Sequence, residues 1–193
     1  GGLEIHDRAG GRKGPPPADP RNAITTDQLL RMASGLQFKE EYFAPDSDTV
    51  AMLAGAGSAD MAAYAASKPL EVEPDTRVQY STGTSCIVAG IVGDEVGHGD
   101  DYRAFIAAEL FDPLGIDPAQ TNLGFDTKGN LIGGSVFDLT ARDFAKFGYL
   151  HLRGGTWDGT EVLPRSWVDY VRTPTPPPAG IDNYGAQWWL DDD

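Results

Sequence analysis

Apolar residues recur at helical spacing along much of the chain. The clearest example lies between Cys86 and Val96, where apolar positions three and four residues apart predict a helix with one broad buried face. Shorter patterns of the same kind predict a helix that ends near Gly35 and further helices over residues 48–53, 59–67, 101–111 and 165–171. The chain is therefore expected to contain many short helices and one long, strongly buried one.

Hydroxyl residues mark the start of two predicted helices. Thr25 and Thr26 precede the first apolar pattern of the chain and are suited to cap its free amide groups. Thr140 lies three residues before Asp143, and this pair predicts an N-terminal cap for a helix that continues through Leu152.

Extended segments alternate irregularly with these helices. Residues 77–80 are predicted to be extended, residues 119–137 to form a hairpin around 126–130, and residues 157–159 to form a tight turn. An aromatic strand is predicted from Tyr184 onward. Because helices and strands are mixed without a strand–helix–strand repeat, the predicted fold class is α+β.

The two ends of the sequence differ from its middle. Residues 1–23 contain Gly-Gly pairs and three successive prolines, which predict a linker or irregular segment, and residues 24–193 are predicted to form one domain. The sequence opens without a methionine or an apolar leader and stops just after the predicted aromatic strand. We therefore expect it to be an internal part of a longer protein.

Charge and composition exclude several classes of function. Fifteen Lys and Arg residues against 29 Asp and Glu residues give a net charge of −14, which disfavours binding to nucleic acid or to an anionic membrane surface. The longest apolar stretch, residues 86–92, is too short to insert across a membrane. Cys86 is the only cysteine, so no internal disulfide can form. Cysteine usage therefore does not indicate whether the protein resides in a reducing or an oxidising compartment.

Two acidic stretches are candidate metal ligands, residues 46–48 (DSD) and 98–101 (HGDD). A calcium loop needs six to eight oxygen ligands with a defined glycine and a distal glutamate, which neither stretch provides. Both lie where helix caps are expected, and three scattered histidines give no zinc-site spacing. The sequence predicts no metal and no cofactor.

The sequence also contains no recognisable motif for a catalytic nucleophile. The chain has no Gly-x-Ser-x-Gly elbow and no serine followed by a lysine three positions later. Cys86 lies on the apolar face of its predicted helix, where a small buried core residue is the favoured interpretation.

The segment Tyr80-Ser81-Thr82-Gly83 carries the most promising chemistry. A tyrosine ends an extended run, and hydroxyl residues lead directly into the N-terminus of the long buried helix. The helix dipole favours negative charge there, including that of a phenolate. A tyrosine still needs a neighbouring cation before it acts as a base near neutral pH. The alternative is a packed tyrosine followed by a hydroxyl helix cap.

Five segments match motifs of one enzyme family in the order in which the family has them. They are residues 24–36 (ITTDQLLRMASGL, resembling ITxxxLLxxxSGL), 73–82 (EPDTRVQYST, resembling PGTxFxYSN), 110–116 (LFDPLGI, resembling IFxPLGM), 133–148 (GG followed by TARDFAKFG, resembling GG…SxxDLARFG) and 184–189 (YGAQWW, resembling YGYGWW). Together they resemble the serine β-lactamase and penicillin-binding-protein-like hydrolases, a family that also holds esterases and aminohexanoate-oligomer hydrolases.

That resemblance implies a helical region packed on part of an antiparallel sheet, and acyl transfer to a serine. It implies that Tyr80 is the general base and that Thr82 contacts substrate, in a position where the family often has asparagine. Tyr42, Gly134 and Ser135 are further candidates for the wall of the cleft. The family's Ser-x-x-Lys nucleophile motif precedes residues 24–36, and its third motif, a Lys or His followed by a hydroxyl residue and Gly, follows the aromatic strand. We expect both to lie outside this sequence.

The leading prediction is thus that this chain is part of a β-lactamase-like serine hydrolase that cleaves an amide or ester. The chain by itself is expected to be inactive. Its expected partners are a small-molecule substrate and the remaining segments of its own parent chain. A catalytically inactive binding or scaffold module of the same fold is the alternative. A carbohydrate- or peptide-binding domain is a third possibility, with four aromatic residues as its candidate contacts, Trp157, Trp167, Trp188 and Trp189.

Overall fold

The computed structural model describes residues 19–180 and 183–190. Its α-helices are α1 (Thr26–Leu30), α2 (Asp48–Ala54), α3 (Met61–Ala66), α4 (Thr82–Val96), α5 (Asp100–Ile106), α6 (Asp112–Leu114), α7 (Ala141–Leu152) and α8 (Arg165–Val171). Its strands are β1 (Asn122–Leu123), β2 (Phe137–Asp138), β3 (Thr156–Trp157) and β4 (Thr160–Glu161). Short 3-10 helices lie at Pro20–Ala23 and Pro118–Gln120, and a π-helical turn, Ala107–Phe111, joins α5 to α6.

The predicted linker is only partly visible, because residues 1–18 of it lie outside the described residues. Its last part is the 3-10 helix Pro20–Ala23, capped by the Asp19 side chain. Arg21 donates hydrogen bonds to the carbonyls of Ala66 (3.0 Å) and Lys68 (3.2 Å), which join this turn to the end of α3. The division into residues 1–23 and 24–193 stays a prediction.

The predicted helices are confirmed with small shifts in their ends. Thr25 caps α1 through a hydrogen bond that its side chain accepts from the Gln28 amide, and the Gln28 side chain in turn accepts one from the Thr25 amide (2.8 Å). The helix predicted over residues 101–111 is not continuous, because α5 changes to the π-helical turn after Ile106. The capping hydrogen bonds between Thr25 and Gln28 therefore fix where α1 starts.

The long helix α4 is more deeply buried than its apolar pattern predicts. All six residues of its first turns, from Thr82 to Ile87, are buried, so this end is enclosed on every side and not on one face alone. It packs with α1 and α3 in a core whose buried apolar members are Ile24, Leu29, Leu36, Phe38, Met52, Met61, Ala65, Ala66, Cys86 and Ile87. The polar residues of the first turn are enclosed because neighbouring loops pack directly against them.

A second core lies between α5, α6, α7 and the hairpin strands. Its buried members are Tyr102, Ile106, Phe111, Leu114, Ile116 and Leu150. The predicted hairpin is confirmed: β1 pairs antiparallel with β2, and Phe125 bridges Leu131 closer to the turn. Asp126 accepts amide hydrogen bonds from Asn130 (2.9 Å) and Met61 (3.0 Å), and thereby joins this hairpin to the start of α3.

The predicted closing strand is wrong in detail. Tyr184 and Trp189 bridge each other antiparallel, so the aromatic segment folds back on itself as a turn. The Gly185 amide donates to the Trp188 carbonyl (2.9 Å), and Gln187 has a positive φ of 60°. Closely spaced aromatic residues alone do not distinguish such a turn from an extended strand.

The cap of α7 gives a prediction about stability. The Thr140 hydroxyl accepts a hydrogen bond from the Asp143 amide (3.2 Å) and donates one to Asp143 Oδ2 (2.6 Å). Replacing Thr140 with Ala is expected to lower the free energy of unfolding by about 1 kcal/mol, measured by urea denaturation. The Thr140→Ser variant keeps the hydroxyl and serves as the control. Equal stability of the Ala and Ser variants would contradict this assignment.

Candidate active site

Tyr80 lies at the surface, two residues before α4 begins. Its side chain is 45% exposed, and its ring centroid lies 5.7 Å from that of Trp189. Among the described residues, none is hydrogen-bonded to the Tyr80 hydroxyl. Trp189 also packs edge-on against Tyr184, at 4.9 Å, and burial raises the pKa of Tyr184. Tyr80 is therefore accessible from solvent, while Tyr184 stays a neutral, buried phenol.

The first turn of α4 is held by two acceptor side chains. The Ser81 hydroxyl accepts a hydrogen bond from the Thr84 amide (3.1 Å) and caps the helix. The Thr82 amide donates to Glu40 Oε2 (2.8 Å), and the Thr82 hydroxyl donates to Glu40 Oε1 (2.5 Å). Thr82 is only 4% exposed. Its hydroxyl proton is thus used within the protein, and any role in substrate contact stays a prediction.

Glu40 is also hydrogen-bonded to Tyr42, another of the predicted site residues. The Tyr42 hydroxyl donates to Glu40 Oε1 (3.0 Å), and this bond to a carboxylate raises the pKa of Tyr42. The Tyr42 side chain is 59% exposed. Sequence reasoning missed Glu40, because a glutamate in an acidic loop indicates only a solvated surface. Forty-two residues separate it from Thr82, so no local pattern signals the contact.

The glycine pair predicted for the cleft wall packs directly on α4. A Cβ atom at Gly134 would lie 2.3 Å from Thr82 Cγ2, and one at Gly133 would lie 2.2 Å from the Ser85 carbonyl oxygen. Ser135 is exposed at the edge of this loop. The structure therefore brings Gly134, Thr82 and Tyr42 together around the start of α4.

The aromatic turn reaches the same helix through Gln187. The Gln187 amide donates to the Leu30 carbonyl (2.9 Å), and its side-chain nitrogen donates to the same oxygen (3.2 Å). The Ser85 hydroxyl donates to Gln187 Oε1 (3.1 Å). Gln187 thus joins the end of α1 to the first turn of α4 and fixes Trp189 beside Tyr80.

Cys86 is confirmed as a buried core residue. Burial raises the pKa of its thiol to about 11, so the thiolate is disfavoured at neutral pH. A nucleophilic role for Cys86 is thereby disfavoured.

Other concave regions lie away from Tyr80. A cavity of about 40 Å³ lies between α3 and α4, and an open groove of about 550 Å³ lies beside Tyr149, Arg153 and Trp157. Over residues 19–180 and 183–190, no group of three or more His, Cys, Asp and Glu side chains is arranged to hold a metal ion. In the same part of the chain, every helix is too short or too polar to cross a membrane.

The four tryptophans do not form a shared binding platform. Their ring partners differ: Trp157 contacts Tyr149, Trp167 contacts Tyr170, Trp188 contacts Phe147 and His151, and Trp189 contacts Tyr80 and Tyr184. No two tryptophan rings within the described residues pair with each other. A carbohydrate-binding surface built on all four is therefore not supported.

Comparison with known proteins gives a family. The model of the β-lactamase family matches residues 14–193. Among solved structures, the chain is similar to a Bacillus anthracis protein assigned as a 6-aminohexanoate-dimer hydrolase, with a TM-score of 0.69 and 20% identity, covering 92% of this chain and 50% of that one. A Bacteroides dorei protein assigned as a β-lactamase gives 0.65 and 18% identity, covering 90% and 54%. A penicillin-binding protein from Bacillus halodurans gives 0.58 and 17% identity, covering 88% and 59%.

The chain spans about half the length of the first two solved structures. No curated protein matches it significantly in sequence. The structural likeness confirms the predicted α+β fold with helices and small antiparallel sheets. The match of the family model over nearly the whole length confirms the resemblance drawn from the five ordered motifs. The chain belongs to the β-lactamase family.

Proposed function

We propose that this chain forms the general-base side of a serine hydrolase that cleaves an amide or ester through an acyl-enzyme. Membership of the β-lactamase family supports a hydrolase. The observation that carries the proposal is the exposed Tyr80 side chain, whose hydroxyl has no hydrogen-bond partner among the described residues. The buried Tyr102 differs in this respect, because its hydroxyl already donates to the Ala89 carbonyl (3.2 Å).

In the proposed reaction, the Tyr80 phenolate takes the proton from a serine hydroxyl while the serine oxygen attacks the substrate carbonyl carbon. The tetrahedral intermediate collapses when the amine or alcohol leaves with the proton that Tyr80 returns. This leaves the acyl group bound to the serine as an ester. Water then attacks that ester while Tyr80 again accepts a proton. Tyr80 returns this proton to the serine oxygen as the carboxylic acid is released, which restores both the serine hydroxyl and the phenolate.

The serine and an accompanying lysine would come from outside the 193 residues. The chain has no serine followed by a lysine three positions later, and the family resemblance implies that such a motif precedes residues 24–36. Tyrosine is protonated at neutral pH unless a cation favours its phenolate. The Glu40 carboxylate at the start of α4 adds negative charge that this lysine has to offset. We expect the chain alone to be inactive.

A serine-directed probe tests where the nucleophile lies. The 193-residue chain is expected to form no covalent adduct with a fluorophosphonate or a fluorescent penicillin, measured by intact mass. The full-length protein is expected to form one adduct per molecule, which is lost when the serine of its Ser-x-x-Lys motif is replaced by Ala. Stoichiometric labelling of the 193-residue chain would show that the nucleophile has been assigned to the wrong segment.

An inactive binding or scaffold module is the second candidate. The observation that favours it is the Thr82 hydroxyl, which is buried and donates its proton to Glu40. A full-length protein that contains no Ser-x-x-Lys motif and forms no adduct would support this candidate over the hydrolase.

A further inference from the structure

We propose that Glu40, Tyr42, Tyr80 and Trp189 form a subsite for the ammonium group of the substrate, a conclusion that rests on the proposed hydrolase function. The four side chains lie around the start of α4, where the candidate base is located. They combine one carboxylate with three exposed aromatic rings. The substrate class is therefore an amide or ester that carries a protonated or quaternary amine.

Glu40 is fixed in place before any ligand binds. Its carboxylate accepts hydrogen bonds from the Thr82 amide (2.8 Å), the Thr82 hydroxyl (2.5 Å) and the Tyr42 hydroxyl (3.0 Å). Two of these three bonds come from the buried Thr82, so the carboxylate is anchored to the core through α4. A preorganised charge binds a ligand without the cost of ordering a flexible side chain.

No cation in the described part of the chain forms an ion pair with Glu40. The preceding residue, Lys39, is paired with Asp46 (2.7 Å). Arg77, three residues before Tyr80, is paired with Glu71 (2.5 Å). Glu40 is half-buried, so its charge is less screened by water than that of a fully exposed glutamate. A cation that enters this region gains an attraction that the described residues leave unused.

The aromatic rings suit the same ligand. Tyr42 is 59% exposed, Tyr80 45% and Trp189 61%, and the Tyr80 and Trp189 ring centroids are 5.7 Å apart. Ring faces carry negative electrostatic potential, and aromatic groups of this kind bind alkylammonium ions. Tyr42 is linked to Glu40, and Glu40 is linked to Thr82, two residues after Tyr80. The carboxylate and the rings therefore belong to one surface, which attracts cations and repels carboxylates.

Binding of a matched ligand pair tests this subsite without any enzymatic activity. Choline and 3,3-dimethylbutan-1-ol have nearly the same shape and differ in charge. We expect the 193-residue chain to bind choline more tightly, measured by ligand-observed NMR. Glu40→Gln is expected to weaken choline binding by about tenfold, which corresponds to about 1.4 kcal/mol. Equal binding of the two ligands, or of choline to the variant and the wild type, would overturn the proposal.

Two further variants separate this effect from unfolding and from net charge. Glu41→Gln removes the same charge one residue away, at an exposed position, and is expected to leave choline binding within about twofold of the wild type. Trp189→Ala removes an exposed ring and is expected to weaken choline binding even if Glu40→Gln does not fold. Unchanged choline binding in a folded Trp189→Ala variant would argue against the aromatic part of the subsite.

Glu40 has a second possible role, in which it pairs with the lysine of the nucleophile motif and does not bind substrate. Kinetics of the full-length protein distinguish this role from the subsite. Acetate esters of choline and of 3,3-dimethylbutan-1-ol form the matched substrates. A substrate subsite predicts that Glu40→Gln lowers the ratio of their kcat/KM values about tenfold. An equal loss for both esters would assign Glu40 to the lysine and overturn the subsite. That result would leave the proposed hydrolase intact, whereas an absence of ester hydrolysis in the wild type would count against the hydrolase itself.

Discussion

Replacing Tyr80 with Phe in the full-length protein is expected to lower kcat/KM for ester hydrolysis by about 100-fold or more. The substitution removes only the hydroxyl oxygen, and general-base catalysis contributes roughly 10²- to 10⁴-fold to such reactions. In the described residues this hydroxyl has no hydrogen-bond partner, so its loss leaves no buried group unsatisfied. The free energy of unfolding should therefore change by less than about 0.5 kcal/mol. A large loss of activity at constant stability would identify a catalytic hydroxyl.

Tyr149 provides a matched control for this experiment. It is also an exposed tyrosine, but it lies on α7 in contact with Trp157. The Tyr149→Phe variant is expected to keep full activity. Activity of the Tyr80→Phe variant within tenfold of the wild type would show that Tyr80 serves only packing, through its contact with Trp189.

The second large effect is expected at Gly133, where α4 and the neighbouring loop are in closest contact. A Cβ atom at this position would lie 2.2 Å from the Ser85 carbonyl oxygen and 2.7 Å from the carbonyl carbon. Backbone atoms cannot rotate away, so the loop or the helix has to move. We expect Gly133→Ala to lower the free energy of unfolding by about 3 kcal/mol, measured by urea denaturation.

Gly148 in α7 is the control for the Gly133 variant. A Cβ atom there meets no other atom within 4 Å, and alanine favours helix more than glycine does. Gly148→Ala is expected to leave stability unchanged or to raise it by up to about 1 kcal/mol. If the two alanine variants were equally stable, the close packing between the loop and α4 would be refuted.

Local chemistry made part of this fold predictable. Thr25 and Thr140 mark helix starts because a hydroxyl side chain satisfies amides that the first turn leaves free. The hairpin around residues 126–130 was predictable from its turn residues, and its pairing agrees with that prediction. The order of five short motifs predicted the family.

Contacts between distant segments were not predictable in the same way. The burial of the first turns of α4 on every side depends on loops from both directions of the chain, including Phe38 against Gly83 and Gly133 against Ser85. An apolar repeat indicates only which face is most hydrophobic. The contact of Glu40 with Thr82 depends on the same long-range packing. The sequence therefore identified Tyr80 and Thr82 as candidate site residues, while the residues that surround them became known only from the structure.

The bonds of Gln187 have a consequence for how the protein is made. They connect the turn that carries Trp189 to Leu30, across 157 residues of chain. A contact of such sequence separation closes a long loop and costs more entropy than a local contact. During synthesis, the ribosome has to release the chain beyond Trp189 before the ring beside Tyr80 reaches its place. The surface around Tyr80 is consequently among the last parts of a nascent molecule to take shape, and a stalled translation product would lack it even when its helices have formed.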